Sequence, residues 1–185
     1  MNKELGVDMG LGEEKKAKKP NPAFAREVVD AGAETLNLCF QCGTCTGSCP
    51  SGKISAFRTR KLIRRAQLGL REDVLPSDEL WFCTTCYTCF ERCPRGVDVP
   101  NILFVLRNMA VREGYMSDAH RKTAGYLLET GHMVPLTDKY KQKRVKLGLS
   151  AVPPTTLSSA KDLEEVKNIM KKTGFDRLIK KRREK

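Results

Sequence analysis

The 185-residue chain is basic, with 34 Lys and Arg against 22 Asp and Glu and a formal charge of +12. That length suits one domain with extensions. No run of about 18 apolar residues is present, so no membrane-spanning helix is expected, and Ile102 to Leu106, the richest apolar run, is far too short.

Residues 1–21 read as a mobile charged tail. Their opening, MNKELGVDMGLGEEKKAKKP, carries few large apolar groups and lacks the apolar segment of a signal peptide. The expectation is a cytoplasmic protein with reduced thiols. Asn21-Pro22 then supplies an N-cap and a first helical position for a short helix to about Ala31, with Phe24 and Val28 on one side and Gly32 as its stop. Ser55 to Leu68 reads as a basic amphipathic helix. Phe57, Leu62, Ile63 and Ala66 face inward, Arg58, Lys61, Arg64 and Arg65 outward, and Gly69 ends it. Ser77 caps a turn that leads through Leu80, Trp81 and Phe82.

Asp98 caps the next helix, in which Pro100 is tolerated in the first turn. There Ile102, Val105, Leu106 and Met109 recur at helical spacing before Gly114. Ser117 to Thr130 repeats the pattern with Gly131 as stop. His132 to Thr156, punctuated by Pro135, Pro153 and Pro154, reads as loop and linker. Ser159 to Lys172 is expected to be a last helix with Leu163, Val166, Ile169 and Met170 on one side, before a basic tail, RLIKKRREK. No strand pattern is present, so the fold class is all-α. The divisions are 1–21, 22–114 and 115–185.

All eight cysteines fall in two packets, CFQCGTCTGSCP at 39–50 and CTTCYTCFERCP at 83–94. Each reads C-x2-C-x2-C-x3-C-P, the spacing of bacterial [4Fe–4S] sites. Three cysteines three residues apart can wrap three corners of a cube in one loop. The fourth precedes proline, whose ring biases it toward extended backbone and turns its thiol away from that loop. In two-cluster proteins this fourth cysteine ligates the other cube. The assignment is Cys39, Cys42, Cys45 and Cys93 for one cluster, and Cys83, Cys86, Cys89 and Cys49 for the second.

The packets align 44 residues apart, and beyond cysteine and proline only Thr44 with Thr88 and Gly52 with Gly96 match. Their fillings differ: Gly43, Gly47 and Ser48 in the first, Tyr87, Phe90 and Arg92 in the second. Two different potentials are therefore expected, in an order the sequence does not give.

Zinc is the competing reading of paired cysteine motifs, but four ligands crowded into each packet suit tetrahedral zinc less well. A disulfide framework would scatter its cysteines. The net charge invites a metal-stapled nucleic-acid-binding protein. Against it, acids are interspersed with the bases and aromatics are not interleaved for stacking. His120 and His132 lack partners at ligand spacing, Tyr115 and Tyr126 read as core or interface residues, and no nucleophile–base set, phosphate loop or dinucleotide fingerprint appears. No catalytic residue is expected on this chain.

The phrases CFQCGTCTGSCPSG and LWFCTTCYTCFERCPRGVDVP resemble the iron–sulfur C subunits of the CoB–CoM heterodisulfide reductases of methanogens, densely over residues 22–114. The resemblance implies an α-helical ferredoxin fold, also found in succinate dehydrogenase and fumarate reductase iron–sulfur subunits. It implies a cytoplasmic role in methanogenesis: single electrons pass from a flavin-containing A subunit to a catalytic B subunit that reduces the CoM–CoB disulfide. It also implies a hydrogenase or formate dehydrogenase as a further member of the complex. The relatives' plant-type ferredoxin domain is not seen ahead of the first helix, and no adjacent cysteine pair, which marks the catalytic cluster in fused subunits, occurs here. The extension from 115 onward is expected to dock partners. The nearest rival reading is an iron–sulfur subunit of a succinate, fumarate, glycolate or glycerol-phosphate type complex.

Overall fold

Asn21 accepts a hydrogen bond from the Ala23 amide through Oδ1 at 3.0 Å, and Pro22 follows it, so α1 (Pro22–Asp30) starts where its first orphan donors are satisfied. The same economy starts α7 (Val99–Glu113), where Asp98 accepts from Asn101, and α8 (Asp118–Thr130), where Ser117 accepts from His120. It recurs at α10 (Ala160–Thr173), where Ser159 accepts from Asp162. Gly114 and Gly131 close α7 and α8 in the left-handed conformation, as expected. The computed structural model describes residues 19–156 and 159–183, so the expected tail lies almost entirely outside the described residues. Among them every regular element is helical.

The core is one cluster built on α7. Ile102, Leu103 and Leu106 are fully buried there against Phe24 and Val28 of α1 and against Leu62, Ile63 and Ala66 of α4 (Thr59–Gln67). α4 starts four residues later than the pattern suggested, because Ser55 to Arg58 turns instead: Phe57 N donates to Ser55 Oγ, and the Arg58 guanidinium binds the carbonyls of Gly52, Ser55 and Phe57. Phe57 is nevertheless buried, as its place in the pattern required. Arg71, at the start of α5 (Arg71–Val74), bonds Glu27 of α1 and Glu113 of α7 and lies 5.1 Å over the Phe24 ring.

Three further short elements complete the first half: a 3-10 turn at Glu34–Leu38, α2 (Thr44–Gly47) and α3 (Pro50–Ile54). A second 3-10 turn, Asp78–Phe82, and α6 (Thr88–Glu91) stand 44 residues beyond the first turn and α2. The backbone repeat thus runs from the turn through the packet helix, although the side chains barely repeat.

Two expectations for the extension need correction. The stretch read as loop and linker contains α9 (Asp138–Lys146), which has no buried residue and so no apolar period to read. The first four residues of the expected basic tail, 177–180, belong instead to α11 (Phe175–Lys180), whose Ile179 is buried. Arg121 of α8 holds the Ile179 and Lys181 carbonyls, and Arg183 N donates to Gly114 O at 3.2 Å, which ties the end of the chain back to α7 and α8. On α10, Met170 is buried but Ile169 faces solvent, 60% exposed.

Candidate metal centre

Each packet turns through two left-handed residues at matching positions. Gln41 and Thr85 have φ of 67° and 53°, and Gly43 and Tyr87 have φ of 89° and 59°. Among the described residues every non-glycine with positive φ lies in a packet. Such conformations cost about 1–3 kcal/mol each and survive where the surroundings demand them. Here they turn the loop between its first three cysteines. α2 and α6 then carry Cys45 and Cys89, and the two helices pack against each other, which brings the packets face to face.

All eight cysteines are free thiols. Cys39, Cys45, Cys49, Cys83, Cys89 and Cys93 are partly buried against the core, whereas Cys42 and Cys86 are exposed. Cys49 meets Cys83, Cys86 and Cys89 around one cavity, closed by Phe57, Pro100 and Leu103; Cys93 is not among its walls. Cys39 borders a separate open hollow with Phe40, Gln41 and the basic side chains Arg60, Lys61, Arg64 and Arg65 of α4. Phe40 is 60% exposed at its mouth.

Hydrogen bonding to the thiols also repeats. Cys42 is 3.3 Å from the Thr44 hydroxyl and Cys86 is 3.4 Å from that of Thr88. A ligating thiolate accepts only, so these hydroxyls would donate to it. Cys49 accepts from Gly52 N and Cys93 from Val97 N. Cys39 accepts from Gln41 Nε2 and Cys83 from Thr85 N, both at 3.4 Å. The threonine hydroxyls hold the Cys42 and Cys86 thiols below the usual range. Burial pushes Cys45 up, and burial, then the nearby thiols of Cys83 and Cys45, push Cys89 up to about 12.

Sequence reasoning missed the clamps. Gln67, the last residue of α4, donates through Nε2 to Leu36 O at 3.0 Å and to Cys39 O at 2.9 Å. Arg107 of α7 donates to Leu80 O at 2.7 Å and to Cys83 O at 2.6 Å. Leu36 and Leu80, like Cys39 and Cys83, are 44 residues apart, so each packet is pinned at the same two carbonyls by the long helix that follows it. Arg107 also lies 5.8 Å over Trp81, whose ring meets His120 at 4.8 Å. His120 thus packs against Trp81, a role expected of a lone histidine.

The thiols suit a bulky, positively charged metal group. Unligated thiolates gathered at Cys45 and Cys89 would be unfavourable, and a metal's charge offsets that penalty. Four of the thiols, Cys49, Cys83, Cys86 and Cys89, ring one cavity. Two cubes, each taking four thiolates, use all eight.

A family model for a 4Fe-4S dicluster domain matches residues 35–97. The chain is 52% identical over 167 residues to the second iron-sulfur C subunit of the CoB–CoM heterodisulfide reductase of Methanocaldococcus jannaschii, covering 86% of this chain and 89% of that one. It is 49% identical to the iron-sulfur C subunit of the Methanopyrus kandleri enzyme, covering 85% and 80%. It is 46% identical to the C subunit of the H2:CoB–CoM heterodisulfide,ferredoxin reductase of Methanothermobacter thermautotrophicus, covering 84% of each. The chain carries two [4Fe–4S] clusters, and with both packets intact and this likeness running through most of its length, it belongs to the family of heterodisulfide reductase iron-sulfur C subunits.

Proposed function

We propose that this chain is the electron-transfer subunit of a heterodisulfide reductase complex, with Cys39, Cys42, Cys45 and Cys93 holding one cube and Cys83, Cys86, Cys89 and Cys49 the other. When bound, each cube stores and releases a single electron. The cavity that Cys49 shares with Cys83, Cys86 and Cys89 supports this division of ligands. The rest of the protein is a rigid mount. α4 and α7 hold the loops through Gln67 and Arg107, Phe57 and Leu103 keep water from the second packet, and the facing helices α2 and α6 keep the two sites adjacent.

In this reading residues 22–114 form the cluster domain, and 115–185 form a helical extension that docks partners. A flavin-containing A subunit supplies electrons and a B subunit cleaves the disulfide of coenzyme M and coenzyme B. Relatives named for hydrogen or formate support a further upstream oxidoreductase in the assembly. No helix among the described residues is long and apolar enough to cross a membrane, and eight reduced thiols suit the cytoplasm. The test is anaerobic purification from the native source. The expected result is co-purification with the flavin-containing and the disulfide-cleaving subunits, and loss of heterodisulfide reduction by the reduced flavin subunit when this chain is withheld. Recovery with a different dehydrogenase, or undiminished reduction without this chain, would contradict the reading.

A further inference from the structure

Gln67 and Arg107 perform the same task at the two packets with different charge. Each half-buried side chain donates to a leucine carbonyl and to the carbonyl of its packet's first cysteine. The amide is neutral, while the guanidinium keeps its charge at any physiological pH. We infer that Arg107 makes the second packet's cluster the higher in potential of the two, so that a single electron shared between them rests at the Cys83 side. The inference builds on the two-cube reading but not on its crossed ligands, because Cys39 and Cys83 each belong to their own packet under either wiring.

Hydrogen bonding and thiol exposure, two usual determinants of cluster potential, are otherwise matched, and the closed cavity at the second packet against the open hollow at Cys39 works against the order inferred, so the charge of Arg107 must outweigh it. In each ligand set three thiols have a hydrogen-bonding neighbour within 3.4 Å, Cys39, Cys42 and Cys93 in one and Cys83, Cys86 and Cys49 in the other, and Thr46 is a further neighbour of Cys45. Each packet exposes only its second cysteine, Cys42 or Cys86. Exposed cations flank both packets, Arg60, Lys61 and Arg64 at the first and Arg92 and Arg95 at the second, and solvent and salt screen them, while the half-buried Arg65 at the first packet is offset by its ion pair with Glu79 at 3.5 Å. Arg107 differs because it is partly buried, fixed by two short hydrogen bonds and stacked on Trp81. Its field reaches Cys83 through protein rather than water, where a charge acts more strongly. It favours the reduced cluster, which carries one more negative charge.

The experiment is an EPR-monitored redox titration of the anaerobic, iron-loaded protein, with Cys42→Ser and Cys86→Ser as references that assign each spectrum to its packet. The expected result is a higher midpoint at the second packet. R107Q, which copies Gln67, should lower that midpoint so that the electron's preference for the second site falls at least tenfold, about 59 mV for one electron. R107K should move it much less, and the pair Q67R/R107Q should invert the order. A higher midpoint at the first packet would overturn the inference, as would an unchanged gap in R107Q or an R107K shift equal to that of R107Q. If R107Q binds no iron, Q67R alone decides: the first midpoint must rise. Iron analysis separates the two failures, since an unaltered chain without two four-iron cubes would contradict the cofactor assignment instead.

Discussion

Gly43 and Tyr87 occupy the same place in two loops 44 residues apart, and both hold left-handed backbone, at φ 89° and 59°. Glycine adopts that conformation freely, whereas tyrosine pays about 1 kcal/mol for its Cβ. Tyr87→Gly should therefore raise the stability of the iron-loaded protein by about 1 kcal/mol, or about 2–4 °C in apparent Tm. Gly43→Ala should lower it by a similar amount. A loss of stability in Tyr87→Gly would show that contacts of the half-exposed ring outweigh the backbone strain.

Gly69 follows α4 at φ +71°, and a Cβ there would sit 1.9 Å from the Asn21 carbonyl oxygen. Asn21 also donates its amide to Gly69 O at 3.2 Å, so the start of α1 is sewn to the end of α4. Neither backbone can retreat without breaking that bond. Gly69→Ala should cost about 2–4 kcal/mol, seen as a fall in apparent Tm of about 4–16 °C. A change below about 0.5 kcal/mol, the range of neutral surface substitutions, would mean the junction is loose.

Arg71 joins three helices through Glu27 and Glu113. Its side chain is 30% exposed, so each ion pair is discounted for solvent screening to about 0.5–1 kcal/mol. Arg71→Gln should destabilise by about 1–2 kcal/mol in urea titration. Arg71→Lys should restore little, because an ammonium cannot span two carboxylates as a guanidinium fork does. Full rescue by lysine would reduce the contact to simple charge attraction.

Much of this was legible before the fold was known. The packets announce themselves by spacing, and α1, α7 and α8 are bounded by Asn21, Asp98, Ser117, Gly114 and Gly131, residues whose chemistry starts or stops a helix locally. The clamps were not legible. Gln67 and Arg107 lie 28 and 24 residues from the cysteines they hold, and a glutamine or arginine on a helix ordinarily reads as solvated. The 44-residue backbone repeat was visible only at the cysteines, the closing prolines, Thr44 with Thr88 and Gly52 with Gly96, since Tyr87 standing where Gly43 stands hides the shared turn. α9 escaped because a helix that buries nothing has no apolar period, and α11 because six residues are too few to show one.

The thiols of the iron-free, reduced protein should react in a defined order while its helical core persists. Thiolate is the reacting form. Cys42 and Cys86, held below the ordinary range by Thr44 and Thr88, gain it first as pH rises from neutrality. Cys89, pushed up to about 12 by burial and neighbouring thiols, stays protonated across pH of about 7–9. Iodoacetamide labelling read by mass spectrometry at about pH 7.5 should mark Cys42 and Cys86 ahead of Cys89. Thr44→Val should slow Cys42 alone. Equal rates at all eight cysteines would indicate that the packets unfold without metal.

The crossed wiring meets its sharpest test when the fourth thiol of one packet is removed and the damaged cluster is identified. In Cys93→Ser the EPR signal and iron of the site built on Cys39, Cys42 and Cys45 should be altered or lost, while the site built on Cys83, Cys86 and Cys89 keeps its spectrum and potential. Damage confined to the Cys83 site, with its neighbour spared, would contradict the crossed assignment.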